Sequence, residues 1–283
     1  MKDKTIISFS FDDGRKDNID LAKGYLLSKN IPATFNITTG YIDGTAPNCI
    51  KANVEPMSID DVRWLNSQKI FEIALHSDKH KNDAKDVERG RVKLCDWLNL
   101  PKNTQFGFAS PHSSFSLTNY DKYFDTDKIT YVRIGDNQSG KSFLKAKEKM
   151  SKIRQKISEK SFLSRLLNRY IDTPFFIKRY ACLLVKDSMI DAIDGKIIYS
   201  IPIFRGDKPE TVNNYVKFAI RNNLSLVLMF HSVSEVNNDN IYNYMTSDFI
   251  KICENLISLV DKKKCEIATV KELYDVKRKR ASV

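Results

Sequence analysis

Short apolar runs alternate with amphipathic stretches along most of the 283-residue chain. Residues 6–11 are almost wholly apolar and read as a buried strand. Residues 17–29 place Ile19, Ala22, Leu26 and Leu27 on one helical face, and Asn30 and Pro32 close that helix. Residues 33–37 read as a second strand. Strand, helix and strand within about thirty residues make a βαβ unit, so the strands are expected to run parallel. Residues 40–57, with Gly40, Gly44, Pro47 and Pro56, read as loop. Ser58 to Asp61 opens the next helix with a capping-box pattern in which Asp stands for Glu. Strands follow at 70–75, 105–109, 129–133, 196–203 and 224–230. Helices are expected at 83–99, 117–124, 212–220 and 246–263, and a helix–strand–helix unit over 246–276. Lys277-Arg278-Lys279-Arg280 reads as a disordered tail.

The polar residues that end these strands carry the chemistry. The first strand runs into Asp12-Asp13-Gly14. Two adjacent carboxylates repel, and burying them requires a proton, a cation or a metal; alone, such a triplet reads first as a solvated turn. The third strand runs into His76-Ser77-Asp78-Lys79-His80. Imidazoles four residues apart on a tight turn can aim at one point, and two imidazoles with one carboxylate suit a divalent transition metal. The fourth strand ends at Ser110-Pro111-His112-Ser113, and the apolar run 224–230 ends at His231. All four histidines therefore lie at or just past strand ends, where barrel folds place their chemistry.

Composition narrows the setting. No stretch of eighteen apolar residues appears, so no membrane-spanning helix is expected. The first eleven residues do not read as a signal peptide, and the cytoplasm is the expected location. Five cysteines (Cys49, Cys95, Cys182, Cys253 and Cys265) show neither disulfide nor zinc-finger spacing, so reduced and mostly buried thiols are expected. The 46 Lys and Arg against 35 Asp and Glu leave a net charge of +11. Much of it lies in residues 141–180, a basic helical stretch with Phe162, Leu163, Leu166, Leu167 and Tyr170 at helical intervals. It reads either as an ordinary helix packing one face on the domain or as a contact with an anionic membrane surface, which would place the protein peripherally at the inner face. Nucleic acid is disfavoured as a partner, because no recognised binding motif or stacking platform appears.

The series SFDDG, HSDKH, a strand ending in a Pro-containing turn, and LMFHS resembles the polysaccharide deacetylases of carbohydrate esterase family 4, the NodB homology domain. The resemblance runs from about Ile6 to Val233. It implies an α/β fold, a distorted (β/α) barrel of about seven strands, here one domain over 1–283 with a basic helical insertion near 141–180. It implies one divalent metal ion, zinc first and cobalt, nickel or manganese as alternatives, held by Asp13, His76 and His80. It makes Asp12 the general base and His231 the general acid, in a pocket formed partly by Leu228 and Phe230. Pro111 lies in the third motif, which lines the groove, and His112 is a groove residue. Two departures stand out: Ala109 occupies the place of an arginine that holds the base, for which Arg133 is the candidate replacement, and Ser113 stands for a glycine. The fourth motif is not placed; Asp136 and Asp187 are candidate partners of His231, and Asp78 is assigned to support or solvent rather than to the metal.

The implied activity is removal of an N-acetyl group from an amino sugar, a surface-polysaccharide precursor carried on lipid or nucleotide. The same groups could cleave an O-acetyl ester, or bind glycan without turnover. A metal ion polarises the acetyl oxygen and activates water, while Asp12 and His231 move the protons.

Overall fold

The computed structural model describes residues 4–47, 55–113, 125, 127–135, 189–191, 193, 195–236 and 240–281. The expected helix at 117–124 and the basic segment 141–180 lie outside these residues, as do Asp136 and Asp187.

Strand β1 (Thr5–Phe11) is followed by helix α1 (Lys16–Leu21), which widens into a π-helical turn at Ala22–Leu26, and then by β2 (Ala33–Ile37). A short helix α2 (Thr39–Ile42) interrupts the expected loop. Helix α3 (Ile59–Ser67) starts on the anticipated capping box: Ser58 Oγ accepts the Asp61 amide at 3.1 Å, and Asp61 accepts the Ser58 amide at 3.0 Å. Then come β3 (Phe71–Leu75), α4 (Ala84–Trp97), β4 (Phe106–Ala109), β5 (Ile129–Ile134), β6 (Met189–Ile190), β7 (Ile197–Tyr199) and β8 (Ile201–Pro202). Helix α5 (Pro209–Asn222) leads to β9 (Ser225–Phe230), β10 (Ser232–Ser234) and β11 (Asn243–Met245). Helix α6 (Thr246–Asp261), β12 (Cys265–Ile267) and α7 (Val270–Ala281) complete the chain.

Parallel pairing runs from β9 through β1, β2, β3, β4 and β5 to β7. The ring closes because one extended run serves two neighbours. Its first half pairs with β5 (Ile134 opposite Tyr199), and its second half, β8, pairs with β9 (Ile201 opposite Leu228). Counting β7 and β8 as one staff, seven parallel strands surround the interior, a distorted (β/α) barrel. At the N-terminal end β12 pairs with the start of β1, and β6 lies antiparallel to the start of β9.

Alternation along the strands sorts the side chains. On β1, Ile7, Phe9 and Phe11 face outward into the main core beneath the helices, with Phe35, Phe230 and Phe249 as neighbours. Ile6, Ser8, Ser10 and Asp12 face the barrel interior. The lower interior is apolar, with Ile6, Tyr131, Ile198 and Val227 packed against Val270, Leu273 and Tyr274 of α7. The C-terminal basic run is thus not a disordered tail: it is helical, and Lys277 is buried. Leu273, Tyr274 and Lys277 share one helical face, and that face plugs the barrel. The three described cysteines, Cys95, Cys253 and Cys265, are buried free thiols. No described helix is long and apolar enough to cross a membrane.

Candidate active site

The C-terminal rim of the barrel collects the polar strand ends. Asp12 continues the inward alternation of β1, and its amide donates to the Phe230 carbonyl at 2.9 Å, which locks the ends of β1 and β9 together. Asp13 then turns left-handed (φ 79), as does Gly14 (φ 72). This turn answers the problem of neighbouring carboxylates: Asp12 stays inside the barrel while Asp13 swings across the rim toward the histidines.

Asp13 Oδ1 lies 3.5 Å from His76 Nε2 and 3.6 Å from His80 Nε2, and the two imidazole nitrogens are 3.2 Å apart. The second oxygen, Oδ2, accepts Nε and Nη2 of Arg15 at 3.1 and 2.7 Å. His76 Nδ1 is 2.8 Å from the Ala109 carbonyl. A carbonyl can only accept, so Nδ1 carries a proton, and the ring turns Nε2 toward Asp13 and His80. Burial, with His76 alongside, pushes His80 down to about 3, so this ring is neutral. Burial would raise the Asp13 carboxyl, but the His76 hydrogen bond and the charge of Arg15 outweigh it and hold it well below the usual range.

Two imidazoles and one carboxylate fit a divalent ion. Ligands about 2.1 Å from a tetrahedral metal stand about 3.4 Å apart, and the three observed separations bracket that spacing. Among the described residues, Asp13, His76 and His80 form the one group of His, Cys, Asp or Glu side chains arranged to hold a metal.

Asp12 has a different environment. Arg133, wholly buried, places Nη2 2.6 and 2.7 Å from the two Asp12 oxygens and Nη1 3.2 Å from Ser200 Oγ. Asn36 Nδ2 donates to Asp12 Oδ1 at 2.8 Å. Burial alone would raise the Asp12 carboxyl, yet Arg133, with His76 and His231, holds it below its ordinary value. Ala109, at the end of β4, has no group to offer Asp12, and Arg133 reaches the carboxylate from β5, one strand over.

His231 directly follows β9, the strand beside β1. Its ring lies edge-on to Tyr242, centroids 4.8 Å apart. Burial pushes it down to about 4 against the pull of Asp13 and Asp12. Its Nδ1 is buried without a hydrogen-bond partner among the described residues. Phe230 and Leu228 do not line the site: both are wholly buried on the outer face of β9, where Phe230 packs against Tyr244 and Phe249. Met229, not Phe230, shares His231's side of the strand. Pro111 and His112 occupy a short turn after β4, where Asn82 Nδ2 donates to the Pro111 carbonyl at 2.7 Å. His112 is left-handed (φ 57), and its ring stands edge-on to His80 with centroids 4.6 Å apart. Asp78 is buried away from the metal group, bonded to Lys93 Nζ at 2.7 Å and Thr39 Oγ1 at 2.8 Å.

Sequence reasoning missed Arg15, Asn36 and Ser200. For Asn36 a signal existed: it lies on the inward parity of β2, with Thr34.

A distorted parallel barrel with a three-ligand centre and a buried, arginine-held carboxylate at its C-terminal rim defines the class. No family model and no curated protein matches the chain. Among solved structures, the chain is similar to the Bc1960 peptidoglycan N-acetylglucosamine deacetylase, at 12% identity and a TM-score of 0.49 over 97% of this chain and 90% of that one. It is also similar to IcaB from Ammonifex degensii, at 21% identity and a TM-score of 0.36 over 44% of this chain and 57% of that one. A third is BA3943, a carbohydrate esterase family 4 pseudoenzyme from Bacillus anthracis, at 9% identity and a TM-score of 0.46 over 98% of this chain and 68% of that one. In IcaB the match spans less than two thirds of that protein's length.

Proposed function

We propose that the chain is a metal-dependent hydrolase that removes the N-acetyl group of an amino sugar in a surface-polysaccharide precursor. The observation that carries this reading is the convergence of Asp13 Oδ1 and the two Nε2 atoms within 3.6 Å, beside a second carboxylate kept ionised by a buried arginine. Asp13, His76 and His80 would hold a divalent ion, which when bound would supply Lewis-acid stabilisation of the developing oxyanion and a lowered pKa for water. Zinc suits the N,N,O donor set.

The chain's own groups do the remaining work. Asp12 Oδ1 already accepts from Arg133 and Asn36, whereas Oδ2 accepts from Arg133 alone and keeps a lone pair for the proton of an attacking water. His231 is neutral at rest. Negative charge developing beside it raises its proton affinity, so His231 takes up a proton from solvent and donates it to the departing amine, and Asp12 then returns the water's proton to solvent. His112 and Pro111 form the groove wall next to His80.

The test is acetate release from a panel of N-acetylhexosamines, free, nucleotide-linked, lipid-linked and oligomeric, with O-acetylated counterparts alongside. Release from an N-acetyl substrate that disappears in Asp12→Asn supports the reading. Release from O-acetyl substrates only would replace it with an esterase. Stoichiometric metal with no release from any substrate would leave a glycan-binding protein.

A further inference from the structure

The loop between the two histidines is held in an unfavourable shape. Ser77 (φ 63) and His80 (φ 56) are both left-handed without being glycine. Such residues are strained and persist where their surroundings over-determine them. Here the surroundings are the first turn of α4. Asp83 caps that helix by accepting the Asp86 amide at 2.9 Å. Asp86, the third helical residue, is wholly buried. An acid at this position ordinarily reaches back to its own cap, as Asp61 does to Ser58. Asp86 reaches outward instead. Its Oδ2 accepts the amides of Lys79 at 2.8 Å and Lys81 at 3.3 Å, one on each side of His80. Its carbonyl accepts the Asp78 amide at 3.2 Å, and Arg89 Nη2 holds Oδ1 at 2.5 Å. Gly90 permits this approach, since a Cβ there would lie 2.9 Å from the Ser77 carbonyl carbon.

We propose that Asp86 is a positioning residue of the metal centre: by accepting the two amides that flank His80 it fixes the left-handed backbone that aims His80 Nε2 at Asp13 and His76. This rests on reading Asp13, His76 and His80 as the metal ligands. Without the acceptor, the Lys79 amide loses its partner and the Lys81 amide keeps only Ser77 Oγ, so the loop relaxes away from the left-handed form.

Zinc affinity measured by chelator competition tests it, with urea midpoints of the metal-free proteins as the fold control. Asp86→Ala is expected to bind zinc about 10–100-fold more weakly, as loss of a supporting group does at other metal sites. Asp86→Asn retains an oxygen for both amides and should stay within about 3-fold of the parent. Glu272→Gln changes the equivalent acid of α7, which caps with Thr269 at the other end of the barrel; it should lower the urea midpoint and leave zinc affinity alone. Parent-like affinity in Asp86→Ala overturns the proposal, as does an Asp86→Asn as weak as the alanine variant. Should Asp86→Ala not fold, Ser77→Ala takes its place, because Ser77 Oγ is the other acceptor for the Lys81 amide, at 2.9 Å. Several-fold weakening is expected, and no change overturns the proposal. A parent protein that binds no zinc removes the metal-centre reading itself, a separate result.

Discussion

Replacing Arg133 by methionine strands Asp12. The pair is deeply buried, with side-chain exposures of 1% and 3%, and one guanidinium nitrogen contacts both carboxylate oxygens. Removing one partner of a buried ion pair costs about 3–5 kcal/mol, because the remaining charge has no water to return to. Asn36 still donates to Oδ1 and offsets part of this, so about 3 kcal/mol is the expected loss for Arg133→Met. Asp12→Asn alone should cost a similar amount by stranding the arginine. The double variant carries neither charge, so its loss should fall short of the sum by about 2 kcal/mol or more. Urea unfolding of the four proteins at pH 7 gives the cycle directly. Additive losses, or an Arg133→Met within about 0.5 kcal/mol of the parent, would show that Arg133 does not hold Asp12. If acetate release is observed, Arg133→Met should lower its kcat by about a hundredfold, the lower end of what a positioned base contributes.

Glu72, inside the barrel, accepts from Thr34 Oγ1 at 2.7 Å, Tyr131 at 2.9 Å and the Lys271 amide at 3.0 Å, and burial raises it from 4.5 to about 6. A carboxyl that ionises later in the folded state contributes most below pH 4.5 and loses that contribution as pH rises through 6, about 2 kcal/mol in all. Glu72→Gln should remove this slope from the pH dependence of the urea midpoint, and an unchanged slope would contradict it. A Cβ on Gly107 would stand 2.2 Å from the Tyr131 ring, so Gly107→Ala should destabilise by about 1–3 kcal/mol through overpacking, read as a lower thermal midpoint; an unchanged midpoint would mean the ring has room to move.

Much of this arrangement was legible because strands and helices leave different marks. The apolar runs located β1, β3 and β9, and the polar residues just beyond them located the site. Arg133 could be nominated from its place near the end of β5, since inward residues near the C-terminal rim can reach one another. Parity would also have excluded Phe230: a side chain adjacent to His231 along a strand faces the other way. What stayed hidden depends on contacts distant in sequence. Nothing local in residues 196–203 says that one run pairs with two different strands and closes the ring. The charges of residues 277–280 suggested a tail, because the apolar face they share with Leu273 and Tyr274 is narrow, and only the barrel mouth shows what it covers. Asp86 looked like an ordinary first-turn acid, and its bonds to Lys79 and Lys81 follow from the close packing of α4 on the loop. The left-handed turn at Asp13 explains how adjacent carboxylates serve two places; aspartate tolerates that conformation better than most residues, but nothing local requires it there.

The most direct test of the account is metal stoichiometry in the parent and in Asp13→Ala. Both proteins would be stripped with chelator, dialysed against zinc and analysed by elemental mass spectrometry. One ion per parent chain and none retained by Asp13→Ala is the predicted result. Equal zinc in the two proteins would place the metal elsewhere and return Asp12 and Asp13 to a turn without chemistry.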